Sequence, residues 1–297
     1  MEKKKVLVVG GAGFVGSHLT DKLVELGHEV HVLDNLSGGK KEQVNKEAIF
    51  HLADITKVEE IKPLFVGVDW VFHLAALPRV PYSIEHPLET NEANVTGTLN
   101  VLLAAKEAGV KKVIYSASSS AYGDQPTLPL VETMTAQPKS PYGLQKHIGE
   151  LYARVFSLIY GLPTVSLRYF NVYGPRYNPE GAYALVIGKF IEQKKRGEPL
   201  TITGTGEQTR DFTNVKDVVR ANILAAERDK VGKGEVINIG AGNNVSVNRI
   251  AELVGGEVVH IEARLEPQNS LADNRLAKEL LGWSPEVNIE DGIKELL

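Results

Sequence analysis

The chain has 297 residues, 43% of them apolar and 24% charged, with a net charge of −4 at pH 7. That composition suits a globular protein of one large or two modest domains, and it offers no basic excess for nucleic acid. With no cysteine in the chain, disulfides and thiolate chemistry are excluded.

Near the start, the apolar run Val6–Val9 stops at glycines and is too short for a signal-peptide core. No run reaches the ~18 apolar residues of a membrane span. The expectation is a cytoplasmic protein with neither membrane nor nucleic acid as partner. In chain order, "KVLVVG" (5–10) reads as a buried strand, and "FVGSHLTDKLVELG" (14–27) as a helix stopped by Gly27. The next strands are "EVHVLD" (29–34), "AIFHLAD" (48–54), "VDWVFHLAA" (68–76), "KKVIYSAS" (111–118) and "TVSLRYF" (164–170). Long helical patterns cover 87–109 and 140–160. This alternation predicts an α/β fold, a Rossmann-type doubly wound parallel sheet, over residues 1–171. After Asn171 the elements shorten: a helix near 184–196, a strand near 199–203, a helix near 215–228 and a strand at 235–239. Residues 172–297 are expected to form a smaller mixed α/β substrate lobe, with some segments rejoining the first.

"GGAGFVG" follows the first strand and opens the first helix. Gly11, Gly13 and Gly16 give G-x-G-x-x-G, and Gly10, Gly13 and Gly16 give a second, three-residue spacing. Glycines let the backbone approach a pyrophosphate whose charge the helix start favours. Asp34, about twenty residues on at the end of the second strand, is placed to accept from a ribose and to repel a 2′-phosphate, which favours NAD over NADP. Lys40 and Lys41 read as solvated surface.

"SPYGLQK" (140–146) puts Tyr142 and Lys146 four apart, on one face of a helix. Any helix can carry such a pair. Behind a dinucleotide loop it gains meaning: a phenol stabilised as phenolate by an ammonium can take a proton from a substrate hydroxyl. "SASSSAYG" (116–123) ends a strand at the edge where ligands bind in such sheets, and its hydroxyls can hold the reacting oxygen.

These pieces, together with "HLAA" (73–76), "NVTGTLNVL" (94–102), "RYFNVYGPR" (168–176), "GEQTRDFTNVKDV" (206–218) and "SLADNRLAKELLGWSP" (270–285), cover nearly the whole chain in order. The sequence resembles the extended short-chain dehydrogenase/reductases, specifically the NAD-dependent nucleotide-sugar epimerase/dehydratase family, and within it the UDP-hexose 4-epimerases. The resemblance implies Tyr142 as base, Lys146 as its partner and ribose ligand, and Ser118 as the serine on the sugar O4, with Ser119 and Ser120 as rivals. For NAD it implies Gly10, Gly13, Phe14, Val15 and Gly16 at the pyrophosphate. Asp34 and Asn35 belong with the ribose, and Asp54 and Ile55 with adenine. Leu74, Ala75, Ala76, Asn94 and Tyr169 line the trough. For a UDP-sugar it implies Ser118, Ser119, Asn171, Leu185, Val186, Arg210, Arg264 and Ser270; no metal is implied. One departure stands out. The family's R-x-G-D before "S-x-A-D" is "RLEPQNSLAD" here, so Glu266 is the candidate ribose ligand in place of the missing aspartate.

Dehydratases of the family carry Asp-Glu after the catalytic hydroxyl, where this chain has Ser119-Ser120, and the glutamate of decarboxylating members is also absent. The expectation is therefore reversible C4 epimerisation of UDP-glucose and UDP-galactose. UDP-glucuronate epimerisation, dehydration or reduction are the alternatives within the family, and a non-catalytic NAD-binding protein is the alternative outside it. Small Ser270 beside the sugar's C2 group is expected to admit N-acetyl sugars. Helices 87–109 and 140–160, with Leu99, Val101, Leu102 and Leu103 as their surplus apolar residues, are expected to pair into a four-helix bundle in a homodimer.

Overall fold

A computed structural model of the chain describes residues 2–177, 186–262 and 269–297. The four apolar residues Val6 to Val9 form most of β1 (Lys5–Val9) and are all fully buried. A strand apolar on both faces has to be covered on both, as a central parallel strand is. The glycine turn leads into α1 (Phe14–Glu25), which buries Leu19 and Leu23, and the chain leaves it through Gly27 at φ +81°. β2 (Glu29–Asp34) lies parallel to β1 with Val32 beside Val8, and β3 (Ile49–Leu52) pairs with β2 as the sheet edge. After the short α2 (Val58–Ile61), β4 (Trp70–His73) returns to the other side of β1. The chain has reversed its direction of travel across the sheet here. A crevice opens above such a reversal, at the carboxyl ends of β1 and β4.

The next crossover runs through α3 (Val80–Glu85), α4 (Pro87–Asn91), a π-helical turn over Glu92–Thr96 and α5 (Gly97–Glu107). β5 (Lys112–Ser118) is buried at every position. α6 (Pro141–Tyr160) starts with the Ser140 side chain accepting from the Gly143 N–H at 3.1 Å and with Pro141 in the first turn, and it stops at Gly161, φ +66°. Each of these is a helix boundary signal readable in the sequence. β6 (Thr164–Tyr169) then lies beside β5.

Beyond it come β7 (Val172–Tyr173), α7 (Val186–Lys195), β8 (Leu200–Thr203), β9 (Thr209–Arg210), β10 (Thr213–Asn214) and α8 (Val215–Glu227). The last elements are β11 (Lys233–Ile239), β12 (Val245–Ser246), α9 (Val247–Val254), β13 (Val258–Ile261), α10 (Arg275–Leu281) and α11 (Ile289–Lys294). The central sheet has seven strands in the order β11-β6-β5-β4-β1-β2-β3, each pair parallel. A cut after residue 171 does not separate the two parts cleanly. β11 is the seventh strand, and Val215 and Val218 of α8, Leu281 of α10 and Trp283 share one buried cluster with Val6, Val8 and Leu19. The remaining late elements make a second core, with Ile187, Phe190 and Ile191 of α7 against Leu200, Ile202 and Ile250. Among the described residues, no helix is long and apolar enough to cross a membrane, and no three His, Cys, Asp or Glu side chains are grouped to hold a metal ion.

Candidate active site

The glycine loop lies at the crevice. Gly10, at φ +86°, donates its N–H to the Leu33 carbonyl at 2.7 Å, and a Cβ on it would stand 2.5 Å from the Ala75 nitrogen. Leu74 and Ala75 both donate to the Val9 carbonyl, at 2.8 and 2.9 Å, so the "HLAA" stretch runs against the loop, with Ala76 half-buried next to it. Any Cβ on Gly16 would overlap the Gly10 carbonyl oxygen. This is why the three-residue spacing Gly10, Gly13, Gly16 matters physically, and Gly11 is also confined, by Val32. No side chain caps the helix at Gly13, so the N–H groups of the first turn, at Phe14 and Val15, are available to an anion.

Asp34 closes the loop from the side. Its Oδ2 accepts from the Ala12 N–H at 3.0 Å and its Oδ1 from the Leu36 N–H at 2.8 Å. Burial pushes its carboxyl up, against the pull of those two donors. A carboxylate has about four acceptor positions, so two remain for ribose hydroxyls. Asn35 donates to Asp54 Oδ2 at 2.9 Å, and the Thr56 N–H and hydroxyl both bond Asp54 Oδ1 at 2.8 Å. Burial would raise Asp54, but the Thr56 and Asn35 bonds and Lys57 hold it below the ordinary carboxylate range. Ile55 turns its side chain onto Gly97 of α5, and its carbonyl accepts from Asn100 at 2.9 Å.

Two expected cofactor residues have their side chains engaged within the protein. Asn94 has both amide hydrogens committed, to the Leu77 carbonyl at 3.1 Å and to Gln145 Oε1 at 2.8 Å, while its oxygen accepts from the Leu77 N–H at 2.7 Å. It ties the loop after β4 to α6 and has no donor left for a ligand. The Tyr169 hydroxyl donates to Asn222 Oδ1 at 2.9 Å.

The proposed chemistry gathers at the end of β5. Ser118 is buried there, its hydroxyl acting on the Tyr142 phenol, and its Oγ accepts from the Ser120 N–H at 3.2 Å. Of the three rival hydroxyls, Ser118 is the one that pulls the Tyr142 phenol down against burial. Ser119 starts a 3₁₀ turn, and the Ser120 carbonyl packs against Gly143. The Tyr142 N–H, an orphan of the first turn of α6, donates to Ser83 Oγ at 3.0 Å. Lys146 donates to the Ser116 carbonyl at 2.7 Å and lies over the Tyr115 ring at 5.1 Å.

The electrostatics differ from the expectation of a depressed phenol. Burial pushes Tyr142 up to about 12, and the group that pulls it down is Ser118. Burial pushes Lys146 down to about 7, with Glu150 opposing. The ammonium is aimed at the Ser116 carbonyl, and its own charge is costly in that dry setting. His73, pushed down to about 3 by burial and by Lys146, is neutral beside them and bonds Thr98 at 2.9 Å.

Asn171, Arg210 and Ser270 come together on the far side. Asn171, at φ +28°, donates to the Asp211 carbonyl at 3.0 Å and reaches Ser270 Oγ at 3.4 Å. A left-handed asparagine at a site of convergence marks stored strain. Arg210 lies on β9, its Nη1 donating to the Thr209 carbonyl at 2.9 Å, and the Ser270 N–H donates to that same carbonyl at 3.2 Å. Val186 packs against the second core. Leu185, Arg264 and Glu266 lie outside the described residues.

Sequence reasoning missed three supports. Ser83 carried no signal. Glu150 did, since it continues the four-residue spacing of Tyr142 and Lys146; Arg168 grips it at 2.8 and 2.7 Å. Asp211, fully buried and pushed up to about 6 by burial, is the third, and it lies inside a quoted motif, next to Arg210.

Comparison with known proteins agrees with this geometry. The sequence model of the NAD dependent epimerase/dehydratase family matches residues 6–240. The UDP-glucose 4-epimerase of Thermotoga maritima, solved with UDP-glucose, is 42% identical, with a TM-score of 0.93 over 98% of this chain and 96% of that one. The UDP-N-acetylglucosamine 4-epimerase of Methanobrevibacter ruminantium M1, solved with UDP-N-acetylmuramic acid, is 38% identical, with a TM-score of 0.94 over 100% and 97%. UDP-glucuronic acid decarboxylase 1 of Xenopus tropicalis is 35% identical over 100% of this chain and 72% of its own length. The glycine cradle, the uncapped helix start and Asp34 suit a dinucleotide, and with these matches they place the chain in the NAD-dependent epimerase/dehydratase family, with NAD as its cofactor.

Proposed function

We propose that the protein is a UDP-hexose 4-epimerase. The observation that carries this reading is the gathering of buried Ser118, Tyr142 and Lys146 at the carboxyl end of β5, with hydroxyls rather than acids at Ser119 and Ser120. NAD, when bound, supplies the acceptor and later the donor of the hydride at C4. Ser118 orients the C4 oxygen, and Tyr142 takes its proton as the ketone forms and returns it afterwards. Elimination of water needs an acid and base at the neighbouring carbon, and Ser119 and Ser120 supply neither. The sugar must turn over between the two hydride steps, so the grip belongs on the diphosphate. Asn171 and Arg210 are the described residues that support it, a guanidinium fork being suited to phosphate oxygens.

The test is a panel of UDP-sugars. Expected products are C4 epimers, with UDP-glucose and UDP-galactose interconverted and no net NADH or carbon dioxide released. A keto-deoxy or decarboxylated product overturns the reading. On sugar breadth, Ser270 leaves room at the C2 substituent, so UDP-N-acetylglucosamine is expected to turn over as well. Ser270→Tyr is then expected to lower kcat/KM for the N-acetyl sugar about tenfold more than for UDP-galactose, because a clash discriminates where added contacts do not. Equal losses remove Ser270 from the C2 wall.

A homodimer is proposed through α6, one of the two helices first expected, and not through the α5 residues named with it. Val101 and Leu102 of α5 are in the core, with Leu99 packed against it. The surplus apolar surface belongs to α6: Leu144, Leu151, Val155, Leu158 (65% exposed) and Ile159 (71% exposed), near Leu88 of α4 at 88%. That spacing makes a stripe along one helix, the kind of surface a second copy covers in a helical bundle. Light scattering at micromolar concentration is expected to give twice the chain mass of 32.4 kDa, reverting to one chain mass in a Leu151→Glu, Leu158→Glu double variant. A single-chain mass for the wild type overturns it.

A further inference from the structure

Four stretches of chain meet at one buried aspartate near the carboxyl edge of the central sheet. Asp211 Oδ1 accepts from the Ala241 N–H at 2.7 Å, and Oδ2 accepts from the Gly242 and Ala272 N–H groups at 3.0 and 2.9 Å. Ala241 and Gly242 lie just past β11, and Ala272 lies just past Ser270. The main chain of Asp211 completes the junction. Its carbonyl accepts from Asn171 Nδ2 at 3.0 Å, and its N–H points to Ser270 Oγ at 3.4 Å. There is no slack around it: a Cβ on Gly240 would overlap the Ala272 Cβ and stand 2.9 Å from Asp211 Oδ2.

We infer that Asp211 is a positioning residue for the nucleoside-diphosphate grip, fixing Asn171, Arg210 and Ser270 relative to one another without touching the ligand. The inference rests on the reading of those three residues as the UDP-sugar face. A buried anion is tolerable only when its oxygens are hydrogen-bonded, and bonds to a charged acceptor are roughly twice as strong as neutral ones. One carboxylate can therefore hold the end of β11 and the 269–272 segment against strand β9, and the main chain of the same residue ties in Asn171 at the end of β6. An amide in its place keeps one good acceptor and turns an NH₂ toward backbone N–H groups, so at least one segment is released. Small displacements of groups that bind a ligand are costly in affinity.

A residue of merely structural value would lower fold stability, cofactor content and nucleotide affinity together. A positioning residue on the nucleotide side separates them. The experiment compares holoenzyme of the wild type, Asp211→Asn and Gly240→Ala. The second variant keeps the carboxylate but wedges it away from Ala272. UDP affinity is read by calorimetry, kcat and KM by epimerase assay, and bound NAD by absorbance of the purified protein. The expected result is a rise in the Kd for UDP and in KM of about tenfold or more in Asp211→Asn. The same change, smaller, is expected in Gly240→Ala, with kcat reduced less than about threefold and NAD content unchanged. Equal UDP affinity in wild type and both variants overturns the inference. So does NAD content that falls in step with UDP affinity, or a variant pair that does not fold. A wild type that binds no UDP overturns the reading of the face itself, and a wild type that binds UDP as its variants do overturns this inference alone.

Discussion

Tyr142→Phe is expected to lower turnover by about 10²- to 10⁴-fold while NAD and UDP stay bound. The substitution removes one oxygen and leaves the ring. The Tyr142 N–H keeps its bond to Ser83, and α6 keeps its Ser140 cap and its Pro141 start. What is lost is the expected acceptor of the substrate proton, the phenol oxygen that Ser118 acts on. Burial alone is adverse to this role, since it pushes the phenol up to about 12, and a base works best with its pKa near the operating pH. The Ser118 hydroxyl pulls the other way, and a positively charged nicotinamide ring beside the phenol would add to that pull. Ser118→Ala should accordingly act in the same direction as Tyr142→Phe and not additively with it, because the two hydroxyls work on one proton. Turnover of Tyr142→Phe within about threefold of wild type would remove the phenol from the reaction.

The first half of the fold was readable because each feature there has one physical cause. Four successive apolar residues make β1 central, three glycines make the turn, and Asp34 ends a strand next to it. The strand starts and ends agree with the sequence to within a few residues, and Glu29–Asp34 agrees at both ends. The 87–109 pattern read as one helix for a similar reason, since apolar spacing does not record hydrogen-bond register. The chain in fact passes from α4 through a π-helical turn at Glu92–Thr96 into α5. That turn carries Asn94, whose amide is bonded to Leu77 and Gln145. π-turns concentrate at functional sites, but nothing in local composition marks them.

The late chain was harder to read. α9, α10 and β13 were not recognised, being short and stabilised by contacts with segments far away in sequence, such as β13 on β8 and Trp283 on Asp217. Asp211 escaped notice because an aspartate beside an arginine reads as a surface pair; its partners lie about thirty and sixty residues downstream. The candidate catalytic trio was legible for the opposite reason. Tyr142 and Lys146 are local to one helix, and Ser118 ends a strand whose apolar run announces it.

Lys146→Met should cost turnover on the scale of Tyr142→Phe, lower the NAD content, and leave the fold more stable at neutral pH than the wild type. Wild-type Lys146 is held at about 7 by burial, against 10.5 for an ordinary lysine, with Glu150 only partly offsetting the loss of water. Below pH 7 the folded and unfolded chains both carry the proton on this group, and the folded one bears the full cost of the buried charge. Between about 7 and 10.5 the unfolded chain holds a proton that the folded chain has released, so stability rises with pH across that window. A methionine has no such proton. The stability advantage of the variant should therefore be largest at pH 7 and shrink toward pH 10, after a constant loss from leaving the Ser116 carbonyl without its donor. Urea unfolding of both proteins, stripped of NAD, at pH 7 and pH 9.5 measures the difference. Parallel pH dependence in the two would mean that Lys146 keeps its ammonium throughout, and the cation would then be a permanent one beside the phenol, as the four-residue spacing first suggested.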